Sequence, residues 1–157
     1  MKYLISLASL LGLIVLLLAA CEPGSGGGEP AVVGVTISGT IVGYYYNITG
    51  NVTVTVTQAP TSLSVQVTLV DGGSGLQDGT YSIPDVPEGT YNVVIVFESD
   101  NSDVYATPAY SINGGAPVPR DSYDITGSGP YYTHTITFNG VPVNGDETIN
   151  IDLGDTG

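Results

Sequence analysis

One histidine, one cysteine, eleven tyrosines and fifteen carboxylates are the side chains with which this 157-residue chain could do chemistry. A lone His134 rules out a metal centre built on several imidazoles, and a lone Cys21 rules out a thiolate cluster or an intrachain disulfide. Nucleophilic catalysis of the Ser-His-Asp kind needs a serine and an aspartate on either side of the imidazole. No serine stands in a nucleophile-elbow pattern, and His134 shares a strand face with Tyr132, Ile136 and Phe138, the setting of a half-buried sheet histidine. Glycoside hydrolysis needs two carboxyls about 5–10 Å apart in a cleft, whereas the acids here fall mostly in turn-forming stretches. These residues predict a protein that is not an enzyme.

Binding chemistry has two better candidates. The run Glu98-Ser99-Asp100-Asn101-Ser102-Asp103 concentrates oxygen donors, and Ca²⁺ takes roughly six to eight oxygens. Glu98, Asp100, Asn101 and Asp103 are therefore the candidate metal ligands, although the twelve-residue EF-hand frame is missing and a solvated acidic hairpin tip is the plainer reading of the run. The tyrosines cluster as Tyr44-Tyr45-Tyr46 and Tyr131-Tyr132. Strand alternation must expose at least one ring in each cluster, and an exposed Tyr offers an apolar face and a hydroxyl at small entropic cost. These five are the candidate contacts for a glycan or a protein partner, against the plainer reading of ordinary strand tyrosines.

Charge narrows the partners. Lys2 and Arg120 are the only basic side chains against fifteen acids, a formal net charge of −13. Nucleic-acid binding draws on cations that neutralise phosphates, and a single Arg beyond the N-terminal segment cannot supply them. The same deficit excludes a polybasic contact with anionic lipid; the acidity itself serves solubility.

The elements that position these residues begin with the N-terminus. Lys2 precedes an almost wholly apolar run from Leu4 to Leu18, closed by Leu18-Ala19-Ala20-Cys21. The order of positive residue, apolar stretch and small residues is that of a secretory signal, and the closing tetrapeptide resembles the lipobox of bacterial lipoproteins at all four positions. The resemblance implies cleavage after residue 20, lipidation of Cys21, and a membrane partner reached through acyl chains that each contribute about 0.8 kcal/mol per buried CH₂. Residue Glu22 stands where an Asp would signal inner-membrane retention in enteric bacteria, which favours the outer membrane in a host with two. A bacterial address also makes the sequon-like Asn47-Ile48-Thr49 and Asn51-Val52-Thr53 irrelevant. Residues 21–30 carry Glu22-Pro23-Gly24-Ser25-Gly26-Gly27-Gly28-Glu29-Pro30, a Gly-rich tether of flexible composition.

Residues 31–157 then change to a period of two. Val52, Val54 and Val56 alternate with Thr53, Thr55 and Thr57; Leu63, Val65, Val67 and Leu69 repeat the pattern; Val33, Val35, Ile37 and Ile41 form an earlier stripe. Tyr91, Val93, Ile95 and Phe97 form a later one, with Val94 and Val96 on the reverse face marking a central strand; Ile149, Ile151 and Leu153 close the series. Turn signals punctuate these runs at Asp71-Gly72-Gly73, Asp78-Gly79, Pro87-Glu88-Gly89, Asn113-Gly114-Gly115, Asn139-Gly140 and Asn144-Gly145. With no helical period after residue 30, the prediction is an all-β fold: a single antiparallel β-sandwich of about seven or eight strands.

The stretch Gly79-Thr80-Tyr81-Ser82-Ile83-Pro84-Asp85-Val86-Pro87-Glu88-Gly89-Thr90-Tyr91-Asn92-Val93 resembles the strand-turn-strand signature of carboxypeptidase regulatory-like, transthyretin-like sandwiches, and more loosely the B-type repeats of collagen adhesins. Gly79, Tyr81, Ile83, Val86, Pro87, Gly89, Tyr91 and Val93 fill the signature's positions. The resemblance implies a transthyretin-like or immunoglobulin-like sandwich with Tyr91 delivered to the core after a turn in which Gly89 takes positive φ. Such modules serve as spacers, adhesins and binding domains, so the expectation is a non-enzymatic interaction or structural module, with carbohydrate or calcium binding as the alternative. The Lys–Asn isopeptide bond of some adhesins is excluded, because no Lys follows Lys2.

Overall fold

Alternation of Thr with Val fixes which side of each strand faces inward, and a computed structural model of the chain turns those inward sides into one core. The structure describes residues 33–44, 47–73, 75–100, 102 and 107–155. The signal and tether expected at 1–30, with the candidate lipidation site Cys21, therefore lie outside the described residues.

The described chain is all-β. Its strands are β1 (Val35–Tyr44), β2 (Ile48–Gln58), β3 (Thr61–Thr68), β4 (Val70–Gly73), β5 (Leu76–Val86), β6 (Gly89–Ser99), β7 (Ala109–Ile112), β8 (Val118–Pro119), β9 (Ser122–Thr126), β10 (Tyr132–Val143) and β11 (Glu147–Asp155). They form two packed sheets, one in the order β4-β5-β1-β11-β7-β8 and the other in the order β3-β2-β6-β10-β9. Strand β6 is central in the second sheet, as its two apolar faces predict: Tyr91, Val93, Ile95 and Phe97 are buried and Val94 and Val96 half-buried. Each Val or Ile side chain taken fully out of water contributes about 1.5–3 kcal/mol. Val52, Val54 and Val56 from β2, Ile136 and Phe138 from β10, and Ile149, Ile151 and Leu153 from β11 do so beside Ile37 and Ile41 from β1.

The architecture differs from a plain antiparallel stack in two respects. Strands β1 and β11 run parallel, with Ile37 opposite Glu147 and Ile41 opposite Ile151; the other described pairings are antiparallel. And the eleven strands of the described residues form nine paths, because two paths change sheets part-way. After Leu69, β3 of one sheet continues as β4 of the other. Likewise β8 passes into β9 at Arg120 and Asp121, whose successive amides donate to Pro108 O on one side (3.0 Å) and Thr137 O on the other (2.9 Å). Both lateral edges are thus closed by a strand that belongs to each sheet in turn, a device that makes corners and covers otherwise open edges.

Several turn signals read differently in three dimensions. Asp78-Gly79 lies inside β5, and Asn139-Gly140 is a bulge inside β10, where the register with β6 shifts between Phe138 and Val141. Only Asn113-Gly114 is a tight two-residue turn, both residues having positive φ (50° and 74°) and Gly115 N donating to Ile112 O at 2.8 Å. Gly89 does not take positive φ; in that hairpin Asp85 does, at 57°. Gly39 is required by proximity, since a Cβ there would collide with the Ile149 carbonyl across the β1–β11 pair. Val33 is not part of a buried stripe but 85% exposed.

Candidate functional site

Strand direction sorts the connections into two groups. The chain enters β1 at one end of the sandwich, here the proximal end, where the β2–β3, β5–β6, β7–β8 and β10–β11 connections also lie. The β1–β2, β4–β5, β6–β7 and β9–β10 connections lie at the opposite, distal end, where Tyr44 pairs with Leu76 and Ser99 with both Ile48 and Tyr132.

Both binding candidates fall at the distal end. Tyr44 closes β1, while Tyr45 and Tyr46 lie outside the described residues. Tyr131 precedes β10 and is 51% exposed; Tyr132 opens β10 and is half-buried. Glu98 and Asp100 are exposed at the end of β6, whereas Asn101 and Asp103 lie outside the described residues. Asn47 Nδ2, just after the Tyr44–Tyr46 run, donates to Asp100 Oδ2 at 2.7 Å. The start of β2 is held as well, with Ile48 N donating to Gln77 Oε1 at 3.0 Å. Among the described residues no three His, Cys, Asp or Glu side chains gather around one point.

Beneath this end lies a buried polar chain that alternation alone does not announce. His134 is fully buried rather than half-buried, and its ring lies parallel to Phe97, its cross-strand neighbour, with centroids 4.6 Å apart. Its Nε2 is 2.8 Å from Ser99 Oγ and its Nδ1 2.7 Å from Tyr123 Oη. In its neutral form the imidazole has one donor and one acceptor nitrogen, and one hydroxyl then donates to the ring while the other accepts from it. The Arg120 guanidinium lies over the Tyr123 ring, 4.9 Å from its centroid, a cation–π contact. Ser99 and His134 do form a hydrogen-bonded pair, but Ser99 is fully buried and the partner on the far nitrogen is a phenol, not a carboxylate. Buried polar groups need such partners, and the arrangement ties β6, β9 and β10 together without presenting a nucleophile.

The outer face of the six-stranded sheet carries a groove of about 250 Å³. Thr40 and Val42 from β1, Asn150 and Asp152 from β11, and Ala109 and Ser111 from β7 form its floor, with Pro117 at its outer edge. Thr40 donates to Asn150 Oδ1 twice, from its backbone N (3.1 Å) and from Oγ1 (3.0 Å). Asp152 Oδ1 accepts from Gly154 N at 2.8 Å. Alternation places these residues on the solvent side of ordinary strands; the one local signal is Asp152-Leu153-Gly154, an aspartate able to accept from the amide two residues on.

Three tyrosines belong to the core. Burial pushes the Tyr81, Tyr91 and Tyr110 phenols above the usual value near 10, and the negative charge of Asp121 adds to the effect at Tyr110. Tyr81 donates to Ile149 O and Tyr91 to Pro87 O, each at 2.7 Å. The second bond reaches back four residues, an arrangement of the tyrosine-corner kind.

No family model matches this chain, and no curated protein or solved structure matches it either.

Proposed function

We propose that this chain is a bacterial lipoprotein, anchored through Cys21 in the cell envelope and facing out from the outer membrane where the host has two. Its sandwich serves there as a non-enzymatic interaction or structural module of the carboxypeptidase regulatory-like, transthyretin-like kind. The observation that carries the reading is the order of Lys2, the apolar run from Leu4 to Leu18 and the closing Leu18-Ala19-Ala20-Cys21, which resembles a lipobox at all four positions. Support for the resemblance comes from the burial of Tyr81, Ile83, Val86, Tyr91 and Val93, the apolar positions of the quoted signature. Support for a non-catalytic role comes from the burial of the one imidazole together with its serine.

The anchor is tested by expressing the full chain and its Cys21→Ser variant with radiolabelled palmitate. Label and membrane partitioning should both be present in the first and absent in the second; a Cys21→Ser protein that still partitions like the parent would overturn the proposal.

A second reading is a carbohydrate- or calcium-binding tip. The Asn47–Asp100 hydrogen bond favours it, because that bond ties the residue that follows the tyrosine run to Asp100 of the acidic run. A ligand that binds only the native state stabilises it by about 2.7 kcal/mol at a hundred times its Kd. Calcium at millimolar concentration should then raise Tm by several degrees, and an unchanged Tm removes the metal version.

A further inference from the structure

We infer that the groove on the outer face of the six-stranded sheet is a binding site for one neutral sugar ring, a pyranose presented by a glycan. The inference uses the reading of the sandwich as a binding module and not the lipid anchor.

The polar groups of the groove are set before any ligand arrives. The Thr40 backbone N–H can only donate, so the Asn150 atom facing it is the oxygen, and the Thr40 hydroxyl donates to the same oxygen. That double contact fixes the amide and leaves its Nδ2 donor for a ligand. Gly154 N holds Asp152 Oδ1 in the same way, leaving Oδ2 as an acceptor. Asn150 and Asp152 are two apart on one strand, hence on the same face and about 7 Å apart along it. The Ser111 hydroxyl, opposite Asn150 on β7, can donate or accept.

A ligand must therefore offer a donor to Asp152 and an acceptor to Asn150 within the span of one small ring. Adjacent hydroxyls meet both demands, since each can donate and accept. Val42, Ala109 and Pro117 supply the apolar surface against which the C–H face of a sugar packs. Size agrees: pockets for drug-sized ligands run to about 300–1,000 Å³, and a groove of about 250 Å³ accommodates a single ring. Charge selects the class. Asp152 lies in the groove of a chain with net charge −13, so uronic and sialic acids and phosphorylated sugars are repelled. A cation would find one carboxylate, too few oxygens for calcium.

The test uses the full chain in detergent on an array of neutral and acidic glycans, followed by titration of the best hits by saturation-transfer NMR. Neutral glycans should bind and acidic ones should not. Asp152→Ala should weaken binding at least tenfold, and Ser111→Trp, which fills the groove from an outward position, should abolish it. Tyr131→Ala should leave binding within twofold. Circular dichroism and Tm of each variant show whether the sandwich is intact, and Asp152→Asn, which keeps shape and loses charge, separates folding from recognition by admitting acidic glycans. No binding of any neutral glycan at millimolar concentration overturns the inference. So does binding that survives both groove variants. Binding lost only in Tyr131→Ala moves the sugar to the distal tip, overturning the groove while sustaining the tip reading.

Discussion

The two ends of the sandwich use their carboxylates in opposite ways. At the proximal end the acids join segments far apart in the chain: Asp146 Oδ1 accepts from Thr36 N at 2.7 Å across 110 residues. Asp121 Oδ2 accepts from Asn139 N at 2.6 Å across 18, and Glu147 Oε2 from Asn113 Nδ2 at 2.5 Å across 34. Towards the distal end they mostly close their own turns, Asp71 on Gly73 N and Asp152 on Gly154 N, each two residues away at 2.8 Å. Asp100 with Asn47 is the exception. A carboxylate that accepts from a distant backbone amide holds the tertiary structure, whereas one that closes a local turn can be exchanged without unlinking anything. The proximal end is thus held by bonds between distant segments, and the distal end mostly by bonds two residues long.

That contrast can be broken most severely at the seam joining the ends. Gly39→Ala would drive a methyl into the Ile149 carbonyl, and separating β1 from β11 should lower stability by about 3 kcal/mol, near the upper range for overpacking. Urea denaturation of the full chain checks this; a loss below 1 kcal/mol would mean that the parallel pair is looser than described. Almost as large is His134→Ala beneath the distal loops, which opens a cavity against Phe97 and removes a partner from buried Ser99 and from Tyr123. A loss of about 3 kcal/mol is expected from the two effects together.

Alkaline pH probes the core tyrosines. An unfolded phenol ionises near 10, while buried Tyr81 stays protonated well above that value. Above pH 10 the unfolded state therefore holds fewer protons, so stability is complete below pH 10 and falls as pH rises towards the elevated folded-state value. Denaturation at pH 8 and pH 11 should show the drop, smaller in Tyr81→Phe than in the parent. Equal drops in the two proteins would contradict the assignment.

Smaller differences separate the carboxylates themselves. Asp146→Ala, at the proximal end, removes the acceptor of the Thr36 amide and should cost about 1 kcal/mol. Asp71→Ala, which opens only a local turn, should stay within about 0.5 kcal/mol of the parent. Thermal melts of the pair decide this, and the reverse ranking would refute the division of labour between the ends.

The sequence by itself determined that the folded part is made of strands, which residues of β2, β6 and β11 face inward, and that β6 is central. Alternation is a property of neighbours: once Val52, Val54 and Val56 lie on one side, no distant residue is needed to know it. It also carried the tyrosine and acidic runs as candidates, because composition and exposure are local. What only the tertiary structure decided is everything that depends on which strands meet. The parallel pairing of β1 with β11, the two paths that change sheets and the close approach that demands Gly39 all join residues far apart in the chain. So do the Ser99–His134–Tyr123 chain, the meeting of Asn47 with Asp100, and the groove in which Thr40 reaches Asn150 across 110 residues. Gly79 makes the point in a single residue. Beside Asp78 it reads as a turn, yet it lies within β5 opposite Ile41 of β1, where a Cβ would press on Leu69 and Val67 of the path crossing between the sheets. Local chemistry limits what a residue can do, and the packing of distant segments selects which of those things it does.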